Sequence, residues 1–206
     1  MEVKISDILP TKSNLIKLKK TIILAKQGQE LLEKKKYILM KEVEKYISKR
    51  VQIEDEFKEQ YEKAFYMLQN ANVDIGINKV SSIAHNIGVD ETLDIKYKTV
   101  MGVEIPIVDY KQREKPELTF GLLGTTINLD EAIIEFQKLK KILIDLAEIE
   151  VTVKRLNDSI VKVQKRSNSL KDIVIPNYEK QEKRIQETLD ERDREEFTRM
   201  KMIKKS

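Results

Sequence analysis

The sequence contains no cysteine and no tryptophan, and it has one histidine among its 206 residues. The lack of cysteine excludes a disulfide-stapled fold, a cysteine-ligated zinc or iron–sulfur centre, and thiol catalysis. The single histidine, His85, provides no cluster for a metal site and little basis for a Ser-His-Asp triad. We therefore expect no catalytic residue, no metal site and no bound cofactor in this chain.

Glycine and proline are also scarce, at 6 and 4 residues. Five of the glycines and two of the prolines fall between residues 71 and 127, and the sequence on either side is nearly free of helix breakers. This distribution predicts three parts. They are an N-terminal coiled-coil helix over 1–70, a middle region over 71–127, and a C-terminal coiled-coil helix over 128–206.

Two other kinds of signal are missing. The glycine-rich segment 121–126 lacks the lysine and the spacing of a phosphate-binding loop, so we interpret it as a turn before the second helix. No apolar run approaches the roughly 20 residues that a membrane span needs. The first ten residues also lack the apolar core of a signal peptide, so we expect a soluble protein, and the absence of cysteine agrees with a cytoplasmic location.

Charged residues make up 36% of the chain, and in the first part the apolar residues recur every three or four positions. Pro10 ends a coil, and Thr11 or Ser13 can cap the helix that follows. The apolar seam is a heptad pattern that changes phase near Tyr61. Its positions are Leu15, Leu18, Ile22, Ala25, Gln29, Leu32, Lys36, Leu39, Val43, Tyr46, Arg50, Ile53 and Phe57. The pattern predicts one long helix.

The third part has the same pattern, and it opens with a capping-box pair, Asn128 and Glu131. Its seam runs through Phe136, Leu139, Leu143, Leu146, Ile149, Val153, Leu156, Ile160, Val163, Ser167, Leu170 and Val174. Pro176 lacks a backbone donor and crowds the carbonyl of Asp172, so we expect a kink near Pro176. Because the connecting segment is short, the two helices are expected to form an antiparallel coiled coil.

The middle region contains two alternating runs within residues 94–108, separated by Met101 and Gly102, which predicts a β-hairpin. Pro106 cannot donate to a ladder, so its strand should be an edge strand. An isolated two-stranded hairpin is marginally stable in water and must rest on the coiled coil or on a partner. The predicted fold class is thus mostly α: a long antiparallel two-helix coiled coil with a small middle region that contains a hairpin.

The charge is unevenly distributed although the net charge is only +4. Between Ile8 and Gln29 there are five lysines and no acidic residue. The same helix is also apolar off its seam, at Ile16, Ile23, Leu24, Leu31 and Ile38. A two-stranded coiled coil covers only a narrow stripe, so this extra apolar surface indicates that the basic end sits inside another protein. Gly28 is either tolerated in the helix or lets another backbone approach closely.

Several motifs resemble those of the D subunit of V-type and archaeal-type rotary ATPases. They are Pro10-Thr11-Lys12-Ser13-Asn14-Leu15, Leu123-Gly124-Thr125-Thr126, Leu129-Asp130-Glu131-Ala132, Leu146-Ala147-Glu148-Ile149-Glu150, Val174-Ile175-Pro176, Asp190-Glu191-Arg192 and Arg194-Glu195-Glu196-Phe197 with Arg199. They cover both predicted helices and occur in the order that the family shows. The segment 71–118 is less diagnostic.

The resemblance implies a non-catalytic rotor shaft of the central stalk, which couples ATP hydrolysis or synthesis to proton or sodium translocation. It implies three partners: the hexamer of catalytic and non-catalytic nucleotide-binding subunits, the small F subunit of the central stalk, and a funnel-shaped protein that links to the membrane ring. It implies neither nucleic acid binding nor membrane insertion, and a peripheral complex on the cytoplasmic face. We expect hexamer contacts at Lys12, Lys17, Lys19, Lys20, Arg192, Arg194 and Arg199. We expect contacts to the small stalk protein at Tyr97, Val100, Val103 and Ile105.

Three alternatives remain open. A type III export stalk protein is also an antiparallel coiled coil in an ATPase hexamer, but it is normally shorter and lacks the hairpin. A coiled-coil transcription factor needs carboxylates at the coil tip, and here Asp74, Asp90 and Asp94 are scattered. An amphipathic membrane binder could use Lys12–Lys26, but the seam continues well beyond that segment.

Overall fold

The computed structural model describes residues 9–86, 93–110 and 125–204. The elements are α1 (Lys12–Ile75), α2 (Ile77–Asn86), β1 (Leu93–Val100), β2 (Val103–Tyr110), α3 (Ile127–Ser169), a π-helical turn (Leu170–Val174, the π-turn) and α4 (Ile175–Ile203). The predicted fold class is confirmed: long helices pack antiparallel, and one hairpin lies in the middle of the sequence. The segment 121–124 and Asp90 lie outside the described residues.

The ends of α1 follow from local chemistry. The Thr11 hydroxyl accepts a hydrogen bond from the Asn14 N–H at 3.3 Å, which caps the first turn. The helix passes the predicted boundary at residue 70 and ends at Ile75. It ends there because Gly76 adopts a φ of 90°, a left-handed conformation that costs glycine little. The division into three parts stays a prediction.

The described helices form two compact units, of which the first combines residues up to Ile38 with residues from Ile160 onward. In this unit α1 and α4 run antiparallel, since Lys12 pairs with Asp193 whereas Lys26 pairs with Glu179. Its core consists of Leu18, Ile22, Ile185 and Leu189, with Leu15 and Tyr178 packed against it. Burial of Leu18 and Ile22 confirms the first part of the predicted seam.

The second unit spans Leu39–Ser159 and pairs the later part of α1 with α3. The pairing is antiparallel, because Arg50 lies 3.5 Å from Glu150 whereas Gln60 donates a hydrogen bond to Glu135. Buried seam positions are Leu39, Val43, Leu139, Ile149 and Leu156. The predicted seam of this unit is wrong at one position.

That position is Leu143, which belongs to the predicted seam but is 45% exposed, whereas Thr152, which lies outside it, is 1% exposed. The pairs Arg50–Glu150 and Gln60–Glu135 place Leu143 opposite the segment 53–57 of α1, which directly precedes the phase change near Tyr61. Phe57, Tyr61, Phe65 and Phe136 form an aromatic cluster in this part of the unit. A heptad position stops facing its partner helix where that partner's repeat is interrupted.

The junction between α1 and α3 differs from the predicted capping box. Asn128 donates a side-chain hydrogen bond to Asp74 at 2.6 Å and so connects the end of α1 to the start of α3. The cap lies instead at Thr126, whose carbonyl accepts from Leu129 and Asp130. The short helix α2 covers this junction through an apolar cluster of Ala71, Val80 and Leu129, with Leu68, Ile75, Ile83 and Ile133 packed against it.

The predicted hairpin is confirmed, with β1 and β2 paired from Leu93↔Tyr110 to Val100↔Val103. Its two turn residues, Met101 and Gly102, have φ angles of 51° and 80°. Positive φ at both positions is the type I′ turn that matches the twist of the strands. The register places Pro106 opposite Tyr97, at a position whose backbone N would face away from β1.

Candidate interaction surfaces

Among the described residues, no group of three or more His, Asp or Glu side chains could hold a metal ion. None of the described helices is long and apolar enough to cross a membrane. His85 is exposed near the end of α2, and its ring Nδ1 lies 2.8 Å from the Ser81 carbonyl oxygen, within hydrogen-bond distance. The candidate surfaces described below are an exposed face of α1, the arginines of α4 and the hairpin.

The first surface is the side of α1 that points away from the core of the first unit. Each residue turns an α-helix by about 100°, so positions opposite Leu18 and Ile22 share one face. We call this the outward face; it comprises Ile16, Lys17, Lys20, Ile23, Leu24 and Leu31. Its four apolar side chains are 56–68% exposed. Exposed large apolar residues that recur along one helix face are typical of a protein contact.

The lysines predicted to contact the hexamer separate into two groups. Lys12 lies 3.3 Å from Asp193 and Lys19 lies 3.8 Å from Glu182, so both pair with α4 in the same unit. Lys17 and Lys20 form no ion pair with any described residue, and both belong to the outward face. The lysines of this second group thus lie among the exposed apolar residues.

The three predicted arginines lie on α4 in the first unit. Arg192 donates to the Pro10 carbonyl at 3.3 Å, which ties α4 to the start of α1. Arg194 lies 3.8 Å from Glu191 on its own helix. Arg199 has no ion pair within the described ranges, and its neighbour Phe197 is 65% exposed. A role of these arginines in hexamer contacts stays a prediction.

The hairpin rests on α3 by the outer edge of β2. The Val108 N–H, which faces away from β1, donates to Glu148 at 2.8 Å. The Glu104 carbonyl, on the same edge, accepts from Arg155 at 3.1 Å. Pro106 lies between these two positions and has no N–H that needs a partner. Side chains of α3 therefore satisfy the strand edge that would otherwise be open to another chain.

The four hairpin residues predicted to contact the small stalk protein have different environments. Tyr97 is 60% exposed, and the Arg155 guanidinium lies 5.4 Å from its ring centroid. Val100 and Val103 are half-buried and flank the turn. Ile105 is 2% exposed, so its side chain is already buried within this chain. The assignment of these residues to a partner contact remains a prediction.

Replacing Glu148 with Ala should loosen the hairpin, because it removes the acceptor of the Val108 N–H. A hydrogen bond to a charged group contributes about 1.5–3 kcal/mol, so amide exchange at Val108 should accelerate about tenfold or more. Hydrogen exchange followed by NMR measures this directly. Glu150→Ala is the matched control, since Glu150 points to Arg50 and not to the hairpin. Equal exchange rates in the two variants would contradict the anchoring role of Glu148.

A polar contact interrupts the seam of the first unit. Ser167, which is 1% exposed, donates to Glu33 at 2.7 Å, and Lys36 lies 2.8 Å from the same carboxylate. Hydrogen bonds from Lys36 and then from Ser167 hold the pKa of the Glu33 carboxyl below its ordinary value. This contribution to stability is present at neutral pH and is lost as the pH falls through the lowered pKa. Polar seam contacts of this kind set the register of coiled coils.

Gly28 lies in the same unit, at a half-buried position of α1. A Cβ added there would meet no described atom within 4 Å. Within the described residues, then, no other backbone approaches Gly28. The sequence alone leaves open whether the glycine is merely tolerated or serves a close approach, and the described part of the chain does not use such an approach.

Antiparallel helix pairs, an anchored hairpin and an exposed basic and apolar face are features of a coiled-coil protein that works by contact with partners. Comparison with known proteins agrees. Residues 14–205 match the family model of the ATP synthase D subunit. The V-type ATP synthase D subunit of Thermotoga neapolitana is 36% identical over 197 residues, which cover 96% of this chain and 97% of that protein.

Two archaeal proteins show similar agreement. The A-type ATP synthase D subunit of Pyrococcus horikoshii is 34% identical over 203 residues, which cover 98% of this chain and 95% of that protein. The A-type ATP synthase D subunit of Methanoregula boonei is 36% identical over 200 residues, which cover 96% of each. The chain therefore belongs to the family of ATP synthase D subunits.

Proposed function

We propose that this chain is the central rotor shaft of a V/A-type ATPase or ATP synthase. In this proposal it carries no catalytic group, and it turns inside a hexamer of catalytic and non-catalytic nucleotide-binding subunits. The observation that carries the proposal is the outward face of α1. Its four exposed apolar side chains, and its two lysines that pair with no described residue, match a protein partner that presents apolar and acidic groups.

The mechanism follows from asymmetry. A shaft made of two different helices presents a different surface in each direction, so the surrounding catalytic interfaces cannot all meet the same groups. Each orientation then favours one nucleotide state at each interface, because a contact shifts a conformational equilibrium by its difference in affinity for the two states. Rotation passes these states from one interface to the next and couples ATP hydrolysis or synthesis to proton or sodium translocation.

The remaining partners belong to the same proposal. The small F subunit of the central stalk binds near the hairpin, where Tyr97 is 60% exposed and its ring centroid lies 5.4 Å from the guanidinium of Arg155. A funnel-shaped protein connects the shaft to the membrane ring. The complex is peripheral and lies on the cytoplasmic face of the membrane.

The proposal can be tested by locking the shaft to the hexamer. The chain contains no cysteine, so Lys20→Cys introduces a single thiol on the outward face. In a complex with a hexamer that carries one engineered cysteine at the facing position, disulfide formation should stop ATP hydrolysis after the first turnovers, and a reductant should restore it. Sustained hydrolysis in a fully cross-linked complex would mean that the chain is a static scaffold. Lack of assembly with the hexamer would favour another ATPase assembly, such as a type III export stalk.

A further inference from the structure

The π-turn between α3 and α4 contains one residue more than an α-helical turn would use. The N–H of Ile175 donates to the carbonyl of Leu170, five residues earlier, instead of the usual four. The two neighbouring helices show regular α-helical structure, so the irregularity is confined to Leu170–Val174. Such single π-turns accommodate one additional residue in an α-helix.

The seam before the π-turn follows the heptad spacing, with Val163 and Ser167 buried and Leu170 and Val174 half-buried. Continued at the same spacing of three and four, the seam would use polar residues. These would be Asn177, Gln181, Arg184 and Thr188. A continuous heptad seam would thus lose its apolar character just after Val174.

A largely apolar seam reappears when each of these continued positions is moved one residue toward the C-terminus. The shifted positions are Ile175, Tyr178, Glu182, Ile185 and Leu189. Ile185 and Leu189 are 4% and 7% exposed and pack in the core with Leu18 and Ile22. Tyr178 packs against the same core. The buried residues of α4 therefore follow the shifted count and not the original one.

The facing segment of α1 has no corresponding irregularity. The contacts Lys26–Glu179 and Glu33–Ser167 lie on either side of the π-turn, and the seam positions of α1 around them, Ala25, Gln29, Leu32 and Lys36, follow the heptad spacing without a break within a continuous α-helix. Only one of the two paired helices contains the extra residue. In a regular α-helix that residue would turn the apolar stripe of α4 by about 100° away from α1.

We propose that this extra residue, and not Pro176, creates the π-turn, and that the turn returns the apolar stripe of α4 to α1. Pro176 lies in the first turn of α4, where its missing N–H costs little, and in this proposal the π-turn accommodates the crowding between its ring and the Asp172 carbonyl but does not arise from it. The same correction also brings Glu179 and Glu182 to the side of α4 that faces Lys26 and Lys19. The π-turn is thus a phase-correcting element of the first unit.

Deletions in a Pro176→Ala background test this proposal. Deleting Asp172, which is exposed, removes the extra residue, so α3 and α4 should merge into one α-helix with Ile185 and Leu189 still buried. Its Tm should equal or exceed that of the Pro176→Ala variant. Deleting both Asp172 and Ile173 is the matched control, because it removes one residue too many. Loss of the buried stripe should then lower Tm by on the order of 10 °C.

The variant Pro176→Ala with the full chain length gives a second readout, since it changes no spacing. A crystal structure of this variant should still show the Ile175 N–H bonded to the Leu170 carbonyl. The proposal is overturned if Pro176→Ala converts the π-turn into a regular α-helix. It is also overturned if the single and double deletions lower Tm by the same amount.

Discussion

Changing both Lys17 and Lys20 to Glu should weaken the binding of this chain to the nucleotide-binding hexamer by about a hundredfold or more. These lysines form no ion pair with any described residue of the chain, and they lie among the exposed apolar residues of the outward face. Like charges placed opposite each other in an interface cost several kcal/mol, and about 1.4 kcal/mol is a tenfold change in Kd. The Tm of the isolated chain should stay the same, because both side chains point away from the core. Titration calorimetry with the purified hexamer measures the loss.

A matched control is available in the same unit. Lys162 and Lys165 are also exposed, are also three residues apart, and lie on α3 instead of α1. Changing them to Glu alters the net charge by the same amount, so a general electrostatic effect would weaken both variants equally. We expect the control to bind like the natural chain. If both variants bind equally well, Lys17 and Lys20 only solvate a helix face.

Changing Leu39 to Ala should produce the largest loss of stability among alanine substitutions in α1. Leu39 is fully buried in the second unit. Truncating a buried leucine to alanine costs about 2–5 kcal/mol, because apolar burial is lost and a cavity remains. For a chain of this length a loss of about 3 kcal/mol lowers Tm by roughly 6–12 °C. Thermal unfolding followed by circular dichroism measures the shift.

Leu31→Ala is the control on the same helix, since Leu31 is 68% exposed and belongs to the outward face. Its Tm should stay close to that of the natural chain, because an exposed substitution usually changes stability by no more than about 0.5 kcal/mol. Its binding to the hexamer should weaken instead. Similar Tm shifts for the two leucines would show that the burial of Leu39 does not govern the stability of α1.

The heptad spacing by itself identifies most of the core. Leu18, Ile22, Leu39 and Val43 belong to the seam that spacing predicts, and all four are buried. The alternating pattern predicts the hairpin within 94–108, and the strands run from Leu93 to Tyr110. These features depend on residues that are close in sequence, because a period of three and four, or of two, already decides which face of an element is apolar.

Other features require contacts between distant parts of the chain. The sequence shows a basic end of α1, but only the antiparallel pairing reveals that Lys12 and Lys19 are neutralised by α4 while Lys17 and Lys20 meet no described carboxylate. The sequence also leaves open what supports the hairpin. In the sequence Glu148 is one of 35 acidic residues, and only the folded chain places its carboxylate at the N–H of Val108.

The sequence by itself therefore determined the helix type, the hairpin and the apolar stripes, since each depends on local periodicity. Tertiary structure decided how those stripes meet. Ile185 and Leu189 lie outside the predicted seam, which ends at Val174, because one extra residue changes the heptad count between them. From the spacing of apolar residues alone, this change in the heptad count is visible only as the point where the predicted seam ends. Burial against Leu18 and Ile22 selects the new phase, because only that phase removes the apolar stripe of α4 from water.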